Sequence, residues 1–171
     1  DRMRIPDERM AVVYPGIETE GIAPAGPSFT PPTIGFLSRL NEAQGLGILI
    51  EAFITLKQDP AFKDLRLVAS GGATPADQPY LSKLEDRLAQ LNLSDAVTLQ
   101  RSFQTAPDPS FFKGLTVLSV PVPKGEAFGI QLIEAMARGI PVVQPRAGAY
   151  PEVVQETGGG VIYDPDQENG L

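Results

Sequence analysis

Glu126 and Glu134 stand with seven residues between them in the stretch Gly125-Glu126-Ala127-Phe128-Gly129-Ile130-Gln131-Leu132-Ile133-Glu134-Ala135-Met136-Ala137. The pattern predicts a helix that begins at the first carboxylate and carries the second about two turns inside it. Eight helical steps cover ~12 Å at most. Carboxylates that far apart cannot share a proton or a single metal ion, but they can grip two ends of a long, hydroxyl-rich ligand. A helix start between them is a ready site for an anion such as phosphate. The spacing therefore points to a ligand with a sugar at one end, a nucleoside at the other and phosphate between.

Composition removes several other chemistries. The chain has 171 residues, with no cysteine and no histidine. Disulfides, zinc sites, thiol nucleophiles and imidazole bases are excluded within it. Proton transfer must use carboxylates, Lys, Tyr or the substrate itself. The net charge of -7 argues against nucleic acid or an anionic membrane surface as partner. An acidic protein can still hold an anion through backbone amides and a few local cations. No apolar run approaches the ~20 residues of a membrane span. The chain opens on Asp1 without a signal-peptide pattern, and the expectation is a fragment or a processed product.

The elements that must position the glutamates follow from punctuation and periodicity. Residues 1–32 hold six prolines, with Gly16, Gly21 and Gly26, and read as an interdomain linker with one short strand at 10–14. From Thr33 to the end, strand and helix alternate. Strands are expected at 33–37, 65–70, 97–99, 115–120, 141–144 and 160–163. Helices are expected at 45–57, from a Thr74 cap with Pro75 and Asp77, and at 150–156, with a brief helical turn at 107–113. Leu81, Leu84, Leu88 and Leu91 make one apolar stripe. The double-glutamate helix ends at Gly139, with Pro141 beyond. This order implies an α/β fold, a Rossmann-like parallel sheet with helices on both faces, over residues 33–171. Ligands bind such sheets beyond the carboxyl ends of the strands, which puts Ser38-Arg39, Gly71-Gly72 and Gly125-Glu126 on one rim.

On a helical wheel Gln131, Glu134 and Arg138 share one face, and the remainder is apolar. Two readings stand. Glu134 and Arg138 form an exposed i,i+4 pair and Glu126 merely complements the helix dipole, or the thin polar strip faces a ligand cleft. Gly129 is either a loose helix start or a place where the backbone approaches a ligand, with the N–H groups of 127–130 aimed at phosphate oxygens. Arg39 is either an ordinary surface arginine or the partner of a diphosphate. Gly71-Gly72 lacks dinucleotide-fingerprint spacing and reads as a tight turn.

Taken together, these motifs resemble the carboxyl-terminal, nucleotide-sugar-binding domain of retaining glycosyltransferases of the GT-B fold, in the large group 1 family that includes sucrose synthases and many bacterial mannosyl- and glucosyltransferases. The resemblance runs from about Tyr14 to Asp164. It is carried by Val13-Tyr14-Pro15-Gly16-Ile17, Phe36-Leu37-Ser38-Arg39-Leu40, the glutamate stretch through Gly139-Ile140-Pro141-Val142-Val143, Pro151-Glu152-Val153-Val154 and Gly158-Gly159-Gly160. It implies that Glu126 contacts the donor sugar at the reacting end, as the candidate catalytic residue. Ala127, Phe128, Gly129 and Ile130 then face sugar and phosphate, Glu134 holds the ribose hydroxyls, and Arg39 neutralises the leaving diphosphate. The family's usual lysine five residues after that arginine is here Gln44, a departure that removes one cation where the leaving group gains charge.

The resemblance further implies a nucleotide-diphosphate sugar as donor, no obligate metal or other cofactor, and a glycan or small-molecule acceptor. It implies an amino-terminal acceptor domain of the same chain and final helices outside these residues. It also implies a cytoplasmic protein, with any peripheral membrane contact made through that other domain. The nucleobase is expected against backbone near 101–103. A non-catalytic nucleotide-sugar-binding or interaction module of the same fold is the alternative, and Gln44 is the residue that favours it. A flavodoxin- or receiver-like domain would need an acidic cluster or a flavin loop near the first strand, and neither is present.

Overall fold

Short apolar runs that can be buried on both faces make parallel strands, and helical stripes between them make the crossovers. The computed structural model describes residues 6, 9–22, 24, 26–101, 109–167, 170 and 171. Along the chain lie β1 (Thr33–Leu37), α1 (Leu46–Leu56), β2 (Arg66–Gly71), α2 (Gln78–Gln90), β3 (Val97–Arg101), β4 (Val117–Leu118), α3 (Ile130–Ala137), β5 (Val142–Pro145), α4 (Tyr150–Thr157) and β6 (Gly160–Tyr163). Among the described residues the strands form one parallel sheet in the order β3-β2-β1-β4-β5-β6. Right-handed crossovers put α1 and α2 on one face and α3 and α4 on the other. The chain departs in opposite directions from the central pair β1 and β4, which opens a crevice at their carboxyl ends.

The core runs through the centre of this sheet. Phe36 of β1, Leu67 of β2 and Leu118 of β4 are fully buried, with Leu46, Ile50 and Phe53 of α1 against one face and Leu132 of α3 and Tyr150 of α4 also buried. Leu81 and Leu88 of the α2 stripe are buried, while Leu91, beyond the helix end, is 38% exposed. The site therefore rests on the buried core of the sheet.

Three expectations are corrected. Residues 10–14 form no strand: they pair with no neighbouring strand, and Val12 and Val13 stand 80% and 85% exposed. An extended segment is stabilised only when its backbone groups and one face find partners. β4 is shorter than its apolar run, because ladder pairing covers only Val117 and Leu118, although Thr116 N and Ser119 N still donate to Thr33 O and Gly35 O at 2.8 and 2.9 Å. The helix of the glutamate stretch begins at Ile130, not at Glu126. Gly125 and Gly129 have φ of 69° and 89°, left-handed values that interrupt a right-handed helix. The expected turn at 107–113 is a 3₁₀ turn over Pro109–Phe112, and residues 107 and 108 lie outside the described set.

Candidate functional site

Four loops meet at the carboxyl ends of the strands: 38–45 after β1, 72–77 after β2, 119–129 after β4 and 146–149 after β5. Gly71 lets the first two touch, since a Cβ there would lie 1.8 Å from Ser38 O. Its role is close backbone approach, and the tight-turn reading misses that. Gly45 does the same between the β1 loop and the segment after β4, where a Cβ would fall 2.1 Å from Pro121 O.

Arg39 projects from the β1 loop toward the β2 loop. Its Nη2 donates to Asp77 Oδ2 at 3.1 Å and to Thr74 Oγ1 at 3.2 Å, and the side chain is 53% exposed. Asp77 also accepts from the Thr74 hydroxyl at 2.6 Å and from Thr74 N at 2.7 Å, reaching back across the helix start as a capping acid does. Arg39 is thus neither a free surface arginine nor buried: one edge of the guanidinium is anchored and the side chain stays open to the rim. Gln44 is engaged within the β1 loop. Its Oε1 accepts from Ser38 Oγ at 2.8 Å and its N–H donates to Asn41 Oδ1 at 3.0 Å, so it braces the β1 loop.

The glutamates occupy different kinds of structure. Glu126 lies in the β4 loop, where its Oε2 accepts from Gln131 Nε2 at 3.1 Å and its backbone carbonyl accepts from Ala149 N at 3.0 Å. Glu134 lies within α3, so the two do not share a helix as the spacing suggests. Arg138 does not form the exposed i,i+4 ion pair of the first of the two readings. Its Nη1 donates to the Glu134 backbone carbonyl at 2.7 Å, and its guanidinium sits 4.3 Å from the centroid of the Phe112 ring. The Glu134 carboxylate has no ion-pair partner among the described residues. Between the two acids the chain enters α3 through Gly129, whose carbonyl accepts from Leu132 N at 3.0 Å, while the amides of Ile130 and Gln131 have no acceptor among the described residues. Ala127 is exposed, Ile130 is 41% exposed, and Phe128 stacks on Tyr14 with ring centroids 6.3 Å apart. The Tyr14 hydroxyl donates to Glu152 Oε1, so a segment far back in the chain reaches this loop.

Several neighbours escape sequence reading. Lys124, two residues before Glu126, lines a cleft of about 620 Å³ with Asn41, Glu42, Asp77 and Tyr80, and makes no ion pair among the described residues. Its nearness to Glu126 was the available signal. Gln144 and Tyr150, both fully buried beneath the rim, have none in the sequence. Of the stretch expected to meet a nucleobase, residues 102 and 103 lie outside the described set; Arg101 is described, and its Nη2 pairs with Glu85 Oε1 at 2.6 Å.

The bonds from Thr74, the hydroxyl foremost, and then the Arg39 contact hold the Asp77 carboxyl down from 3.8 to about 2. A folded value below the unfolded one adds stability above the unfolded value, and that stability is lost as pH falls through the folded one. The wild-type urea midpoint should drop more between pH 4 and pH 2 than that of Asp77→Asn. Parallel drops in the two proteins would show that these bonds are not formed in solution.

Comparison with known proteins agrees with this geometry. A family model described as glycosyl transferases group 1 matches residues 20–171. A D-inositol 3-phosphate glycosyltransferase of Corynebacterium urealyticum is 28% identical over 91% of this chain and 39% of its own length. The lipopolysaccharide core biosynthesis mannosyltransferase LpsB of Rhizobium meliloti is 30% identical over 81% of this chain and 36% of its own. The chain therefore spans less than half the length of these relatives. Among solved structures, the C-terminal domain of the group 1 protein LpcC from Francisella tularensis superposes with a TM-score of 0.72 at 26% identity, covering 89% of this chain and 82% of that one. Anabaena Alr3699/HepE, solved in complex with UDP and glucose, superposes with a TM-score of 0.69 at 27% identity over 81% of this chain and 36% of that one. With the family model matching all but the first 19 residues, the chain belongs to the group 1 glycosyl transferases of the GT-B fold.

Proposed function

We propose that this chain is the donor-binding domain of a retaining glycosyltransferase and takes a nucleotide-diphosphate sugar. The observation that carries the reading is the placement of two glutamates around one helix start: Glu126 in the loop, Glu134 on the helix, and between them the amides of Ile130 and Gln131, which have no acceptor among the described residues. Glu134, with no ion-pair partner among the described residues, accepts hydrogen bonds from ribose hydroxyls. The diphosphate lies against the first amides of α3 and the open side of Arg39. Glu126, steadied by Gln131, meets the sugar. That UDP and glucose are bound by Alr3699/HepE supports a donor of this class.

In transfer, the anomeric carbon loses its bond to the diphosphate and gains one to the acceptor oxygen, and the acceptor proton leaves with the diphosphate. Charge develops on the leaving oxygens, where Arg39 and the helix start offset it. The acceptor, a glycan or small molecule, sits mainly on an amino-terminal domain. The reading requires no obligate metal or other cofactor, and it takes residues 1–32 as the linker from that domain. The reading takes the site of action as cytoplasmic, with any peripheral membrane contact made through the amino-terminal domain. A second reading, a binding module without turnover, rests on Gln44, which braces Ser38 where the family's lysine would stand.

Three outcomes test these roles. Screening UDP-, GDP- and ADP-sugars by thermal shift should find at least one binder, while the 171 residues alone transfer no sugar to any acceptor; measurable transfer by this chain alone would contradict the placement of the acceptor site. Glu134→Ala should weaken the bound nucleotide by about 1–3 kcal/mol, roughly 5- to 150-fold. Unchanged affinity by calorimetry would remove Glu134 from the ribose. Gln44→Lys should tighten nucleoside diphosphate and steepen the salt dependence of binding. Affinities that stay flat with ionic strength in both proteins would mean that position 44 does not face phosphate.

A further inference from the structure

Val120 lies two residues past the end of β4 and is fully buried at the point where the chain leaves the sheet for the glutamate loop. Side chains from β5 and α4 hold its two peptide groups. Gln144 of β5 accepts from Val120 N at 3.2 Å, and Tyr150 of α4 donates its hydroxyl to Val120 O at 3.2 Å. From there the loop is a chain of short links. Val122 N donates to Val120 O at 2.8 Å, Gly125 N to Val122 O at 2.9 Å, and Ala149 N to Glu126 O at 3.0 Å. The Tyr150 ring also underlies the far end of the loop, where a Cβ on Gly129 would lie 3.2 Å from its Cε1. One buried tyrosine thus supports both ends of the segment that carries Glu126.

Gln144 is an odd residue for such a place. Its amide is fully buried, its oxygen serves Val120, and its Nε2 has no hydrogen-bond partner among the described residues. A buried donor left unmet works against stability. Its presence there fits a residue whose value lies in the acceptor it offers to Val120. Burial first, and then the Glu126 charge, push the Tyr150 hydroxyl well above its ordinary value, so it stays protonated and remains a donor.

We propose that Gln144 and Tyr150 are positioning residues: by holding the Val120 peptide they set the loop that presents Glu126 to the donor sugar. The proposal rests on the donor reading above. It predicts that Tyr150→Phe, which keeps the ring and removes the hydroxyl, and Gln144→Met, which keeps the bulk and removes the acceptor, act on the sugar end of the site alone. Two measurements decide it. Hydrogen exchange in the ligand-free chain should speed up across 120–130 in each variant, with α1 and α2 unchanged. Calorimetry with UDP-glucose against UDP, and GDP-mannose against GDP, should show affinity for the bound nucleotide sugar falling about fivefold, while that for its diphosphate stays within about twofold.

A purely structural role would lower both affinities together or spread faster exchange over the whole chain, and either result overturns the proposal. Unchanged exchange at 120–130 overturns it as well. If the wild-type chain binds neither sugar, the donor reading fails for these donors, and the hold on the loop is judged by exchange alone.

Discussion

Where the loop after β4 meets the loop after β5, backbone lies on backbone with no side chain between. A Cβ on Gly125 would fall 2.3 Å from Gly148 N, and one on Gly148 would fall 2.5 Å from Glu126 O. Ala149 N closes the contact by donating to that same carbonyl. The position of Glu126 is therefore inherited from the start of α4, and through Tyr150 and Gln144 from the floor of the sheet. Sites built this way keep their geometry because the supporting groups are themselves locked by packing. It also explains why α3 starts late: the chain must first cross onto this bed, and two glycines with positive φ make the crossing.

The charges follow a division of labour suited to the proposed binding of an anion by an acidic protein. Arg138 is occupied by a carbonyl and an aromatic ring, so it does not neutralise Glu134. A carboxylate meant to accept from hydroxyls must not already be paired, and here the nearest guanidinium is directed elsewhere. Arg39 is the converse case, with Asp77 and Thr74 fixing one edge of the cation while the side chain stays half exposed. Pre-organising a cation in this way lowers the ordering cost of binding a phosphate. Lys124, within the loop after β4, adds a positive charge with no ion-pair partner among the described residues, on a rim where Gln44 contributes none.

Much of the fold was legible because its signals are local. β1 and β6 fall where five- and four-residue apolar runs are cut off by Pro, Ser and Asp, and α1 lies between Gly45 and Lys57 as its periodicity requires. The late start of α3 was not legible, since positive φ at Gly125 and Gly129 is dictated by contacts with residues about twenty positions away. The glutamates, Arg39 and Gly129 could be singled out as residue types on a rim. Their partners could not: Asp77 lies 38 residues from Arg39, Ala149 lies 23 from Glu126, and Tyr14 lies 114 from Phe128. Residues 10–14 misled for the opposite reason, being locally strand-like with nothing alongside to pair with.

The central claim is that one ligand spans from Glu126 to Glu134 across the start of α3. The most direct measurement is an amide NMR titration of this chain with UDP-glucose and GDP-mannose beside UDP and GDP. The account predicts that a diphosphate shifts the amides of 129–134 and that the matching sugar adds shifts at 125–128. Binding that leaves 125–134 unperturbed, or sugar-dependent shifts confined to another part of the chain, would contradict it.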